Sequence, residues 1–476
     1  METLSSNVPG LDEILKGGFI QGRMYLIRGE PGVGKSLLGA HFLRAGLDND
    51  ETVLYIHGEE SEADIIENTR ELNIDLSEAE FLDLGPETDF FTESVSYDVV
   101  DPADLDSEQV TDDIQEKIDA LNPNRVFFDP ITQLEYVETN EYQYRKRLLS
   151  LLRFLRDKNM TVLASKTWDE GEQAKLGSSD NAESISDGLV DLFRGEGGRR
   201  VKVPKHRGHG QSDRTHGLEI RANGLEIYPQ VIPGDDYQEF DPTLAPTGRE
   251  DLNALLGGGI EKGSVTFLSG PTGVGKSTLA TQLAVGAAQA DLRVGGYLFE
   301  ESLQQFEYRA EGLGYPIADL RADSDVVLTH IEPLNLSAEE FAQQVTGTVA
   351  DLGLDVVILD GIDGYQISIQ GDESKLIRRL HALTRSLKQE NVTVLIIDEV
   401  SEISGVASAT STNTSYIADN IVYLTYTKGE TGLDRAIGVL KKRLGQFDNS
   451  FHYFTITPEE GLVLGDEVRD MDGLVD

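Results

Sequence analysis

Two stretches of this 476-residue chain have the residue types and spacing needed to hold a triphosphate. Gly29-Glu-Pro-Gly32-Val33-Gly34-Lys35-Ser36 and Gly270-Pro-Thr272-Gly273-Val274-Gly275-Lys276-Ser277 both fit the pattern G-x-x-x-x-G-K-[ST]. The glycines let successive backbone N–H groups converge on phosphate oxygens at a helix N-terminus. The lysine brings a charge to the β- and γ-phosphates, and the serine hydroxyl is an oxygen ligand for Mg²⁺. Leu37 and Thr278, the next residues, complete the expected ATP-binding segments. A second Mg²⁺ anchor should be an acid closing a later apolar strand. Asp129, after Arg-Val-Phe-Phe, and Asp360, after Val-Val-Ile-Leu, stand in that position. Hydrolysis also needs a carboxylate to orient and deprotonate water beside the γ-phosphate. Glu59-Glu60 and Glu300-Glu301, followed by Ser61 and Ser302, close the strand expected after each phosphate-loop helix. At least one glutamate of each pair is expected to be catalytic, and the spacing does not say which.

These residues recur in register. Gly10-Leu11-Asp12 with Leu15, Gly17 and Gly18 returns as Asp251-Leu252-Asn253 with Leu256, Gly258 and Gly259, an offset of 241 residues. The same offset relates Lys35 to Lys276 and Glu59-Glu60 to Glu300-Glu301. The chain therefore reads as a tandem duplication, with a first domain over 1–228, a proline-containing acidic linker over 229–247, and a second domain over 248–476. Short apolar runs alternate with amphipathic stretches in each half, which predicts α/β domains with a twisted, mainly parallel sheet flanked by helices. Met24–Arg28, Thr52–His57, Val126–Asp129 and Thr161–Ser165 read as strands of the first half, and Tyr142–Lys158 as a helix. Val265–Ser269, Val294–Phe299, Val356–Asp360 and Val392–Ile397 repeat the strands in the second. Further β-rich sequence follows at Arg200–Pro204, Gly217–Ile220 and Gly224–Tyr228.

Composition narrows the setting. There are 84 acidic and 41 basic residues, a net charge of −43, and no cysteine. Disulfides and cysteine metal sites are excluded. Nucleic acid is a poor fit as partner, because phosphate binding needs a basic footprint. The spread of acidic residues along the whole chain, with Lys scarcer than Arg, also reads as a solvated halophilic surface. The N-terminal METLSSNVPG lacks a basic n-region and an apolar run, and no stretch is apolar enough to span a bilayer. A cytoplasmic location is expected, with no membrane association.

With phosphate loop, double glutamate and strand aspartate in this order, nearly the whole chain resembles the KaiC branch of the RecA-type ATPases. The specific marks are Pro9-Gly10-Leu11-Asp12 with Gly17-Gly18, Gly58-Glu-Glu-Ser61, Phe299-Glu-Glu-Ser302, Lys205-His-Arg207-Gly208 and Lys441-Lys-Arg443. The resemblance implies two RecA-like ATPase domains, ATP and Mg²⁺, and a homo-hexameric ring with nucleotide between neighbouring subunits. It also implies that Lys205 with Arg207, and Lys441 with Arg443, reach a neighbour's γ-phosphate. Residues i and i+2 of a strand share a face, and such cations stabilise transition-state charge.

KaiC proteins also phosphorylate adjacent Ser and Thr residues in the second domain. The matching segment here is Ser408–Asn420, with Ser415 at the serine and Tyr416 where the threonine stands. Glu183-Ser184 occupies the corresponding place in the first half, so any Ser/Thr autokinase activity is expected in the second. Pro130 and Gly361 also depart from the serine expected after the strand acids. The chain stops soon after Leu464, so the family's extended C-terminal tail is expected to be missing. The leading expectation is a double-domain ATPase with a signalling or timing role and signalling partner proteins. The alternatives are a nucleic-acid-dependent recombinase or helicase-like motor, and a nucleotide-gated interaction protein with little turnover.

Overall fold

Strands buried on both faces read as nearly unbroken apolar runs, because helices cover the sheet above and below. Thus Leu26, Leu54 and Phe128 face one side of the first sheet, and Tyr25, Tyr55 and Phe127 the other. A computed structural model describes residues 1–85, 102–133, 141–168, 181–195, 198–209, 212–234, 243–369, 373–400, 414–428, 432–458 and 460–469. The chain divides into two units, Met1–Gln230 and Val231–Asp476.

The strands of the first unit's large sheet are β1 (Met24–Gly29), β2 (Val53–His57), β3 (Glu80–Asp83), β4 (Arg125–Asp129), β5 (Thr161–Thr167), β6 (Gly188–Gly195), β7 (Gly198–His206), β8 (Ser212–Arg221) and β9 (Gly224–Tyr228). They lie in the order β3-β2-β4-β5-β1-β6-β7-β8-β9. Strands from β3 to β6 in that order are parallel, and β7, β8 and β9 add an antiparallel meander. Helices α1 (Lys35–Leu47), α2 (Glu62–Arg70), α3 (Pro102–Leu121), α4 (Glu141–Asp157) and α5 (Asn181–Ile185) connect the strands. Leu38, Phe42 and Leu43 of α1 pack on one face of the sheet. Ile114 and Ile118 of α3, with Leu148 and Leu155 of α4, pack on the other.

The second unit repeats this architecture. The strands of its large sheet are β10 (Val265–Gly270), β11 (Val294–Leu298), β12 (Val326–His330), β13 (Val356–Asp360), β14 (Thr393–Glu399), β15 (Asn420–Lys428), β16 (Leu433–Lys442), β17 (His452–Thr457) and β18 (Gly461–Glu467). Their order, β12-β11-β13-β14-β10-β15-β16-β17-β18, matches the first sheet strand for strand. Helices α6 (Lys276–Ala288), α7 (Leu303–Glu311), α8 (Ile317–Ala322), α9 (Ala338–Leu352), α10 (Ile362–Ile369) and α11 (Glu373–Gln389) flank it. The expected α/β class, with two mainly parallel sheets in tandem, is the observed one. No helix among the described residues is long and apolar enough to cross a membrane.

Two local differences from the sequence expectation stand out. Strands β5 and β14 run to Thr167 and Glu399, past the last apolar residue, which brings the polar ends Ser165–Thr167 and Asp398–Glu399 to the sheet edge. The stretch read as an extended linker is partly packed. Val231 lies against the second unit's core, Gln389 donates to the Gly234 carbonyl, and Gln282 Nε2 donates to the Thr247 carbonyl at 3.1 Å. Residues 235–242 lie outside the described set.

Candidate active sites

Both phosphate loops join the end of a central strand to a helix N-terminus, β1 to α1 and β10 to α6. The N-cap residues Gly34 and Gly275 have φ of 110° and 119°, left-handed values that a side chain would strain. At Gly29 and Gly270 the constraint is space. A Cβ there would lie 2.0 Å from the Leu192 carbonyl oxygen or 2.1 Å from that of Leu424. Val33 and Val274, fully buried, fasten each loop to the core. Thr272, Gly273 and Thr278 line the second unit's cavity, whereas Leu37, the counterpart of Thr278, packs against the first unit's core.

The lysines fold back on their own loops. Lys35 Nζ donates to the carbonyls of Gly29 and Glu30, both at 2.9 Å, and Lys276 Nζ donates to those of Gly270 and Pro271 at the same distance. Burial lowers the pKa of each lysine, against surrounding carboxylates that raise it. Around Lys35 these are Asp129, Glu59 and Glu30; around Lys276 they are led by Glu399 and Glu300.

In the second unit one cavity of about 480 Å³ is bounded by Lys276, Ser277, Glu300, Glu301 and Asp360. Residues separated by up to 84 positions, from Lys276 to Asp360, thereby meet at the C-terminal edge of the parallel strands, where open α/β sheets bind ligands. Ser277 Oγ donates to Asp360 Oδ1 at 3.2 Å. Burial, with Glu301 next in importance, pushes the Asp360 carboxyl up to about 6. Glu301 is tied down: Arg309 of α7 binds its carboxylate, and His330 Nδ1 lies 3.1 Å from its carbonyl oxygen. Among the described residues Glu300 forms no such pair, and burial, then Glu399, raises its carboxyl above the ordinary value.

The same cavity contains residues that sequence reasoning missed: Arg309, Asp363, Glu399 and Arg435. Glu399 Oε2 lies 3.9 Å from Lys276 Nζ. No spacing rule ties these residues to the phosphate loop, since each is delivered by a different element. The register of the repeat would have flagged their asymmetry: Asn68, Thr132 and Thr167 stand where the second half has Arg309, Asp363 and Glu399.

The first site is built with different neighbours. Asp129 accepts from Tyr55 Oη at 3.0 Å and from Ser165 Oγ. The second unit has Gly296 and Ile397 at those two positions. Glu59 and Glu60 precede the N-cap Ser61 of α2, and His57 Nδ1 lies 2.9 Å from the Glu60 carbonyl. Ser36, at the start of α1, is exposed.

The predicted basic dyads are not in their own unit's phosphate pocket. Lys205 pairs with Leu189 across β7 and β6, and the adjacent Gly188 pairs with Tyr25, at the start of β1. The phosphate loop begins after the other end of β1, about 13 Å further along at 3.3 Å per residue. Lys441 is placed likewise through Ile421 and Phe267. At this far edge Lys205 Nζ donates to the Glu183 carbonyl at 2.8 Å, and Lys441 Nζ to those of Ser415 and Ala418, both at 2.7 Å. Ser415 therefore lies beside the dyad, in the short helical turn Thr414–Tyr416. Residues 408–413 of the Ser/Thr-rich segment lie outside the described set.

The family model for the KaiC ATPase domain matches this chain twice, over residues 4–232 and 245–468. The chain belongs to the KaiC ATPase family. Among relatives of this KaiC-family chain, the "Circadian clock oscillator protein KaiC" of Picosynechococcus sp. is 25% identical over 488 residues, covering 100% of this chain and 92% of its own length. The protein of the same name from Thermostichus vulcanus is 25% identical, with 100% and 91% covered. The "Circadian clock protein KaiC3" of Synechocystis sp. is 24% identical, with 100% and 94% covered. The chain is thus a KaiC-family ATPase with a duplicated domain, spanning nearly the full length of these relatives.

Proposed function

We propose that this protein binds and hydrolyses ATP with Mg²⁺ at two sites, one in each of the domains 1–228 and 248–476, joined through 229–247. The observation that carries this reading is the second unit's cavity, where phosphate loop, Ser277, Asp360 and Glu300 converge. Lys35 and Lys276 would leave their carbonyl partners for the β- and γ-phosphates, since an anion is the stronger partner for an ammonium. Ser36 with Asp129, and Ser277 with Asp360, would hold the Mg²⁺ that neutralises phosphate charge. The 3.2 Å contact between Ser277 and Asp360 gives it adjacent oxygen ligands, and Mg²⁺ takes one or two carboxylates plus phosphates. Glu300, without Arg309's partnership, is the better base for water than Glu301, and by the repeat Glu59 is the better one in the first site.

The position of Lys205/Arg207 and Lys441/Arg443, away from their own loops, supports their action on a neighbour's γ-phosphate in a homo-hexameric ring. Ser415 would then lie beside a neighbour's nucleotide, which supports Ser/Thr autokinase activity there. A signalling or timing role in the cytoplasm, with signalling protein partners, completes the reading; the relatives' printed names, circadian clock proteins, support its timing part. The test is ATP turnover in high salt with Mg²⁺. Single Lys35→Ala and Lys276→Ala variants should each lose one site's share, and the double variant all of it. Turnover that survives the double variant would overturn the assignment. Phosphate on Ser415, read by mass spectrometry after ATP incubation, would support the kinase; an unmodified Ser415 would leave an ATPase alone.

A further inference from the structure

At the far edge of each sheet one buried aspartate collects the groups around the dyad. Asp187 is 6% exposed and Asp419 5%. Asp187 Oδ2 accepts from Arg156 at 2.8 Å and from the Met24 backbone N–H at 3.4 Å, and its Oδ1 lies 3.6 Å from Arg207. Asp419 Oδ2 accepts from Lys388 at 2.6 Å and from the Val265 N–H at 3.0 Å, and its Oδ1 lies 3.3 Å from Arg443. The main chain repeats the link: the Arg207 N–H donates to the Asp187 carbonyl and the Arg443 N–H to that of Asp419, both at 3.0 Å. The constellation thus occurs twice, with Arg156 replaced by Lys388 on the equivalent helix.

We infer that Asp187 and Asp419 are positioning residues that hold Arg207 and Arg443 in the conformation that meets a neighbour's γ-phosphate. The inference rests on the trans role proposed above. Each aspartate is fixed from behind by the first residue of the central strand and by a cation of α4 or α11, so it cannot follow the arginine outward. The arginine side chains remain 53% and 50% exposed, so the tether restrains them without covering them. An unrestrained arginine would lose rotamer entropy on each encounter with phosphate, and the aspartate has removed part of that cost beforehand. Because Arg156 or Lys388 balances the carboxylate, the edge keeps a surplus of positive charge for the incoming anion.

The experiment measures one domain at a time, in the full-length ring with the other domain's phosphate-loop lysine changed to alanine. Asp187→Asn keeps an oxygen for the Met24 N–H, and replaces the charged oxygen facing Arg207 with an amide NH₂ that cannot accept from it. It should lower kcat about tenfold at unchanged KM for ATP, the pattern of a group acting in the transition state. Adding Arg207→Ala to Asp187→Asn should cost nothing beyond Arg207→Ala alone. Asp419→Asn and Arg443→Ala give an independent copy of the test, should one variant fail to fold. Full activity in both asparagine variants, while the arginine variants lose kcat, would overturn the inference and leave the trans role intact. Additive losses accompanied by a lowered thermal midpoint would also overturn it, as a purely structural role. Arginine variants with full kcat would instead overturn the trans role itself.

Discussion

Charge balance around two glutamates separates residues that are adjacent in the chain. Glu301 is neutralised by Arg309, whereas Glu300 shares its space with Glu399 and Lys276. With Lys35→Ala silencing the first site, Glu300→Gln should lower kcat by about 10²–10³, within the range for losing a general base. Glu301→Gln should cost roughly tenfold or less, chiefly through a released Arg309. Single-turnover ATP hydrolysis separates the two outcomes. Asp360 adds a pH dependence. Its folded value of about 6 lies above the ordinary 3.8, so the neutral form dominates below pH 6 and the ionised form, the one proposed to hold Mg²⁺, above it. At pH 5 about one in ten carboxyls would be ionised. Bound Mg²⁺ opposes protonation, so turnover of the second site at sub-saturating Mg²⁺ should fall as pH drops through 6. A flat profile between pH 7 and 5 would contradict this.

Elements meet through matched pairs of side chains, and the two halves solve one contact differently. Gly39 sits in the middle of α1, where glycine costs about 0.5–1 kcal/mol relative to alanine. Its reason is Phe127 of β4, whose ring would lie 2.1 Å from an added Cβ. The second half has Ala280 opposite Ile358 at the equivalent positions, a larger helix residue against a smaller strand residue. Gly39→Ala should therefore destabilise the first domain by about 1–3 kcal/mol despite the better helix former, the usual cost of overpacking. Adding Phe127→Ile should recover most of that loss. Urea unfolding of the variants tests both signs.

The whole molecule carries a net charge of −43, which opposes compaction wherever it is not screened. At 0.1 M salt the Debye length is about 10 Å, and at 1 M about 3 Å. The thermal midpoint should therefore rise steadily with KCl through the molar range. Sodium sulfate and KCl compared at equal ionic strength separate screening from salting-out, since only sulfate strongly favours burial. A midpoint independent of KCl would remove the halophilic reading.

The sequence by itself determined the duplication, the α/β class and both phosphate loops, because these depend on local spacing and on strand and helix periodicity. Lys35, Ser36 and the surrounding glycines were legible for that reason, and so were Glu59-Glu60 and Asp129 as acids that close apolar strands. Only the tertiary structure decided which acids share the lysine's space. Glu399 lies 123 residues from Lys276 and meets it because β14 and β10 are neighbours in the sheet. It also decided the side of the sheet on which the basic dyads lie. Lys205 and Arg207 look like surface charges in sequence. Strand register puts them, with Asp187, on the edge opposite their own phosphate loop. The two candidate sites that the duplication announced are therefore alike in their phosphate loops and different in the acids and hydroxyls that long-range pairing brings to them.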